Sequence, residues 1–589
     1  MWLPAITVLL IFASSSHGGY YYPKKYRPYA GGSKVVRTTH GLVQGRLERV
    51  PTRSGHPVMV DVYWSIPFAK PPVGDLRFKS PLSADPWPGV LDVSESPNSC
   101  MQVVSDDPLY VPNPSTPVSE DCLYLTIWRP RCVSSPGGRG SSRYGGRQGG
   151  RRRGGDTDLA TMVWLYGGGY MTGSTTVSWY NGALLAASQC VIVASMNYRL
   201  GAFGFLFLDV PEVPGNMGLL DMTLAARWIK DNIEQFGGDR SRITVFGNSA
   251  GGASASLFLL SPLTRNLFTR AIIESGSPIG HLALQSRLSG LETAREFSKS
   301  FSCYSTNDSA IARCLMQADP VQLAQDQFEL SQDYRYFMTA LVDNYFLTGD
   351  PFQMLQNGNF KRCELLLGST TSEGTYFLGL KWPNEYSFSS EQTTNISDEE
   401  LNSKLNQFFS DFLKAEYIPK IIADVKEVYQ LDRLRQEVTD AHLTFLNYVI
   451  GDVINTCPVR HVAGFYSNSS RGVFLYSYNH AYDKPVLPTW VGAIHQSEIE
   501  FVFGRPSLDN VAFTNREGKL SQAVMTYWAN FAKYGTPNDK SCRLPKWPTY
   551  RWPDPGNTIE FTPAAKIRAS KTEDFRCAYW NNLPRDIRK

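Results

Sequence analysis

Residues 242–252 read Arg242-Ile-Thr-Val-Phe-Gly-Asn-Ser-Ala-Gly-Gly252. An apolar, β-branched run of this kind predicts a buried strand. It stops abruptly at Gly247-Asn248-Ser249-Ala250-Gly251, and an Ala/Ser/Leu stretch suited to a helix follows. G-x-S-x-G between a strand and a helix is the local pattern of a nucleophile elbow. In such a turn the central residue takes a strained backbone conformation and its hydroxyl is lifted off the sheet. The flanking positions must be glycine, because a side chain there would strike the neighbouring strand or helix. Ser249 would stand at a helix N-terminus, where backbone N–H groups stabilise a developing oxyanion.

Working outward, the apolar runs Ala160–Leu165, Cys190–Ser195, Arg270–Glu274 and Glu364–Gly368 also read as short buried strands. Between them Leu219–Phe236 repeats Leu, Ala, Trp228, Ile229 and Ile233 at helical spacing. Strands alternating with helices predict an α/β fold with a large, mostly parallel central sheet flanked by helices. Trp164-Leu-Tyr-Gly-Gly-Gly169 reads as a strand running into three glycines. Such a stretch can present bare backbone N–H groups to a developing oxyanion, partnered by the N–H of Ala250.

A serine nucleophile needs a base, and the base an orienting carboxylate. His281, His442, His461, His480 and His495 follow Ser249 in the chain. His442 falls in a helical pattern and His461 in a short Pro-Val-Arg-His-Val-Ala run, so both read as structural. His480 follows the strand-like segment Gly472–Tyr478 and stays open as an alternative to His495, which sits in a turn-rich loop. For the acid, Glu373 comes just after a buried strand, where α/β sheets place chemistry.

The 589 residues are 42% hydrophobic and 13% aromatic, ample for a large core, and the net charge of +4 calls for neither nucleic acid nor a membrane surface. Residues 1–18 read as a signal peptide, an apolar stretch closed by small residues. No membrane anchor, cofactor or metal is expected. Residues 19–34 read as a flexible basic Tyr/Gly-rich tail, 35–583 as the globular domain and 584–589 as a C-terminal tail. Within the domain, 131–155 is rich in Arg and Gly and predicts a disordered insertion. It is a candidate contact for polyanions or matrix, and Arg151-Arg152-Arg153 an inviting cleavage site. The ten cysteines fit an oxidising, extracellular compartment. Asn307, Asn395 and Asn468 begin candidate glycosylation triplets.

Several long motifs occur together: Ser-Glu-Asp-Cys-Leu-Tyr-Leu at 119–125, Trp-Leu-Tyr-Gly-Gly-Gly at 164–169, Asn-Tyr-Arg-Leu-Gly-Ala-Phe-Gly-Phe-Leu at 197–206, Gly-Asn-Met-Gly-Leu-Leu-Asp at 215–221, and the elbow itself. With these the chain resembles the type-B carboxylesterase/cholinesterase family from roughly Val35 to Leu583. The resemblance implies an α/β-hydrolase fold with Ser249, Glu373 and His495 as triad and Gly168, Gly169 and Ala250 as oxyanion donors. It also implies a supporting Ser275 and three disulfides, Cys100–Cys122, Cys303–Cys314 and Cys457–Cys577. Cys132, Cys190, Cys363 and Cys542 fall outside that pattern, and Cys132 is left as either an extra bridge or a free thiol.

Departures from the family bear on substrate. The loop Cys100–Cys122 has no tryptophan to hold a quaternary ammonium, with Pro112 near that position and Tyr110 its only aromatic. Asn248 stands where an acidic residue is expected, and Leu282 replaces an aromatic. Tyr334 and Tyr336 resemble an acyl-pocket pair, and Tyr376 and Phe377 keep an aromatic wall. The expected activity is that of a secreted serine ester hydrolase acting on a small-molecule ester without choline selectivity. The alternatives are a cholinesterase-like adhesion or matrix protein and a true cholinesterase.

Overall fold

The computed structural model describes residues 28–587 apart from positions 54, 105–112, 133–157, 281, 332–336, 389–395, 469–471, 484–486, 509–511, 539–543, 553–556, 563–566 and 572–574. The signal segment, the basic insertion beyond Cys132, Tyr110, Pro112, Tyr334, Tyr336, Asn395 and Cys542 lie outside the described residues.

The strands of the large sheet, numbered here in chain order, are β1 (Pro28–Gly32), β2 (Arg46–Val50), β3 (Val58–Pro67), β4 (Tyr124–Pro130), β5 (Leu159–Leu165), β6 (Ile192–Met196), β7 (Gly238–Asn248), β8 (Arg270–Glu274), β9 (Leu365–Thr370), β10 (Val473–Tyr478), β11 (Asn557–Phe561) and β12 (Ile567–Lys571). They lie side by side in the order β1-β2-β3-β4-β6-β5-β7-β8-β9-β10-β11-β12. From β6 to β11 every neighbouring pair is parallel. The margins β1–β4 and β12 are antiparallel additions. The parallel strands are continuous apolar runs because both faces are covered, as β9 shows with all its residues buried.

The helices that frame the site are α1 (Met217–Asn232), α2 (Ala250–Leu260), α3 (Glu373–Lys381), α4 (Ala441–Gly451), α5 (Cys457–Ser467) and α6 (Asn515–Tyr534). Helix α1 buries Leu219, Ala226, Trp228 and Ile229, the spacing that marks it in the sequence. Helix α2 packs on β7 and β8, α6 on β5 and β7, and α5 on β9 and β10.

Both expected tails are shorter than the sequence suggests. Pro28–Gly32 pairs with β2 as an edge strand, because open edge groups of β2 need partners. At the other end Ile587 is only 6% exposed, and its carbonyl accepts from the Lys414 N–H at 2.9 Å. The three expected disulfides are present. A fourth, Cys132–Cys190, settles the open question about Cys132. Among the described residues no helix is long and apolar enough to cross a membrane. Asn307 and Asn468 are exposed.

Candidate active site

The site lies where β5, β7, β8 and β9 end at their C-terminal edge, the place where open parallel sheets leave a crevice. Ser249 follows β7 with φ 57° and ψ −125°, a region costing a non-glycine residue about 1–3 kcal/mol. The surroundings hold it there. Its N–H donates to the Glu274 carbonyl at 2.9 Å, and its own carbonyl accepts from Ala253 at 2.8 Å. The two elbow glycines are required by close approach. A Cβ on Gly251 would sit 1.9 Å from the Leu165 carbonyl oxygen, and one on Gly247 would sit 2.6 Å from Gly251 backbone.

Ser249, Gly168, Gly169 and Ala250 together line a cavity of about 120 Å³. Gly168 and Gly169 have φ of 111° and 62°, which the turn after β5 demands of them. Leu282, Tyr376 and Phe377 line the same cavity, together with Phe337, Ile454 and Gln496. Among the described residues none that lines it carries a charge. Asn248 is a correction: it is fully buried beneath the elbow, does not line the cavity, and donates through Nδ2 to Glu498 Oε1 at 3.2 Å. The alternation of a strand explains this, since neighbours along β7 point to opposite sides.

Glu373 opens α3 and is 1% exposed. His495 Nδ1 lies 2.5 Å from its Oε2. Ser275 Oγ donates to Oε1 at 2.5 Å and the Thr370 N–H to the same oxygen at 2.8 Å. Ser275 itself has φ 49°, a second strained residue at a strand end. Asn455 Nδ2 donates to Oε2 at 2.8 Å. Burial alone would push the Glu373 carboxyl up. The His495 imidazole and the bonds from His495, Ser275 and Asn455 outweigh it and hold the group below its usual range. His495 Nε2 is buried and has no hydrogen-bond partner among the described residues. The ring packs against Tyr376 and Phe377, with centroids 5.2 and 5.5 Å away.

The alternative histidines are elsewhere. His480 Nε2 sits 3.3 Å from Glu517 Oε1 at the capped start of α6. His442 Nδ1 lies 2.6 Å from the Ile396 carbonyl. His461 stacks on Phe465 with centroids 4.8 Å apart.

Sequence reasoning missed Asn455. It sits in a π-helical turn, Asp452–Thr456, between α4 and α5. Such turns displace one residue out of helical phase and recur at functional sites. Gly451 allows the approach, because a Cβ there would lie 2.9 Å from the Glu373 Cβ. Gln496, with φ 78°, was also missed; it follows His495 and lines the cavity.

The Carboxylesterase family matches residues 32–580. The chain is 35% identical to the acetylcholinesterase of Bungarus fasciatus, over 94% of this chain and 87% of that one. It is 35% identical to the cholinesterase of Mus musculus, over 93% and 86%. It is 34% identical to the acetylcholinesterase of Electrophorus electricus, over 94% and 88%. An α/β sheet with a strained serine at the end of a parallel strand, and likeness over nearly the whole length, place this chain in the carboxylesterase family, among the serine hydrolases of carboxylic esters.

Proposed function

We propose that the chain hydrolyses neutral carboxylic esters through an acyl-enzyme on Ser249. Ser249 Oγ attacks the ester carbonyl and its proton passes to His495 Nε2. The carbonyl oxygen, now an oxyanion, is held by the amides of Gly168, Gly169 and Ala250. The intermediate collapses, the C–O bond to the alcohol breaks, and the alcohol leaves with the proton from His495. Water then repeats the sequence and frees the acid. Glu373 fixes the imidazole and balances its charge. The observation that carries this reading is the pairing of His495 Nδ1 with Glu373, which leaves a buried Nε2 with no partner beside a serine-lined cavity.

The preference for neutral esters rests on the cavity wall, whose described residues carry no charge. A nearby carboxylate would attract a cation by about 1–4 kcal/mol at 4 Å, and each 1.4 kcal/mol is tenfold in discrimination. The four disulfides support an oxidising compartment and so secretion.

The test is hydrolysis of a neutral ester and its isosteric choline ester with matched acyl groups, alongside labelling by a fluorophosphonate. Ser249→Ala should fold, lose hydrolysis and lose the label. Full activity in the folded variant would place the chemistry elsewhere. A tenfold choline preference in the parent would overturn the neutral-ester part alone.

A further inference from the structure

Beneath the elbow, on the side away from the cavity, the structure gathers acceptor oxygens with nothing to accept from. Glu274 ends β8 and lies in register with Asn248 at the end of β7. Glu274 and Glu498 are both fully buried. Trp528 Nε1 from α6 donates to Glu274 Oε1 at 2.7 Å. Asn248 Nδ2 and the Tyr476 hydroxyl from β10 both donate to Glu498 Oε1, each at 3.2 Å. Those donors are thereby engaged, while the Tyr478 hydroxyl, which feels the Glu498 charge, makes no hydrogen bond among the described residues. Among the same residues Glu274 Oε2, Glu498 Oε2 and Asn248 Oδ1 are buried and unpartnered.

Buried acceptors without donors are costly, and a carboxyl can supply the missing donor only by keeping its proton. The charged surroundings favour that. The groups acting on Glu498 are Glu373 from α3, which opposes its ionisation, and its own backbone N–H, His495 on its own loop and the Tyr476 hydroxyl, which favour it. Those acting on Glu274 are Glu498, which opposes ionisation, and Trp528, which favours it. Tyr478 also feels the Glu498 charge. No lysine or arginine figures among the groups that act on either carboxyl.

We propose that Glu274 and Glu498 form a carboxyl pair that retains a proton at neutral pH, and that this proton ties together the strand ends on which Ser249 stands. Both are positioning residues. Glu274 reaches the nucleophile through its own carbonyl, which receives the Ser249 N–H, and Glu498 reaches it through the Asn248 side chain. Retention of the proton keeps the floor of the site from presenting two full negative charges. Burial, joined by the Glu373 charge, raises Glu498 to about 7, and burial with the Glu498 charge lifts Glu274 well above the ordinary carboxyl range. The consequence for catalysis rests on the role proposed for Ser249; the protonation itself does not.

Infrared spectroscopy of the whole protein at pH 7 in deuterated buffer tests it. The difference spectrum of parent minus Glu274→Gln/Glu498→Gln should show loss of a protonated carboxyl carbonyl band. The band should fade as pH is raised to 9 in the parent. A difference spectrum holding carboxylate bands alone, as a bound cation or water in place of the proton would give, overturns the proposal. If the double variant fails to fold, the same band in Glu498→Gln and in the parent across pH decides it. In kinetics, Glu498→Gln should flatten the fall of kcat/KM with neutral ester between pH 6.5 and 8.5 and leave KM near the parent value. An unchanged pH profile with a reduced kcat would make Glu498 merely structural. Fluorophosphonate labelling of Ser249 separates this failure from failure of the active-site reading, since labelling persists in one and is lost in the other.

Discussion

Two glutamates of one site meet opposite fates within the same buried region. Glu373 and Glu498 are 1% and 0% exposed, so both suffer nearly the full desolvation of their charge. Glu373 is met by an imidazole, a hydroxyl, an amide side chain and a backbone N–H, and is held below its ordinary range. Glu498 is met by one side-chain amide and one phenol on a single oxygen and by its own backbone N–H, and is raised to about 7. Burial is common to both, so it is the neighbouring charge, His495 beside one and Glu373 beside the other, together with the supply of donors, that decides which carboxyl is an anion.

The comparison is broken most directly at the anion. Glu373→Gln leaves the shape but removes the charge proposed to fix and balance His495, and kcat/KM should fall by about a thousandfold or more. A loss under tenfold, measured with a neutral ester, would mean that another group orients the base. Asn455→Ala takes one donor from the carboxylate, worth about 1.5–3 kcal/mol for a bond to a charged group. Activity should fall by about ten- to a hundredfold, with recovery in Asn455→Gln if its amide reaches Oε2. Ser275→Ala should cost about three- to tenfold, because Oε1 keeps the Thr370 N–H.

The smallest effects concern stability, and their signs are opposite. The lowered Glu373 carboxyl stabilises the fold above its unfolded value of about 4.3, and that contribution is lost as pH falls through the lower folded value. Glu498 has a folded value above its unfolded one, so the fold binds more protons between them and loses stability as pH rises toward 7. Thermal melts of Glu498→Gln should therefore gain on the parent at pH 8 relative to pH 5. Glu373→Gln should lose less against the parent at pH 3 than at pH 6. Parallel pH curves for parent and both variants would refute the contrast.

The elbow was legible because its information is local: strand, two glycines and serine lie within 242–252, and the collisions that demand those glycines involve the very strand and helix on either side. Strand β8 was read with the bounds the structure gives it, since a short apolar run ended by Glu274 has few other uses. The surroundings of Glu373 were not legible in the same way. They are assembled from α3, the turn Asp452–Thr456 that follows α4, and the segment around His495, separated by long stretches of chain. Asn455 carries no signal of type or spacing, because a π-turn breaks the period that sequence reading relies on. Asn248 was recognised as unusual, but its direction depends on the pleat, and the sequence placed it in the pocket. The edge strand Pro28–Gly32 was hidden by composition, since pairing with β2 and not its own residues makes it a strand.

The fourth disulfide has a topological consequence. Cys100–Cys122 closes within the part of the chain that supplies β1–β4, whereas Cys303–Cys314 and Cys457–Cys577 close within the part that supplies β5–β12. Cys132–Cys190 joins the two. A single peptide-bond break anywhere between those cysteines, the arginine run at 151–153 included, would make two polypeptides and still one molecule. Such a nicked form would migrate as one species on a denaturing gel and resolve into a light and a heavy band only when thiol is added.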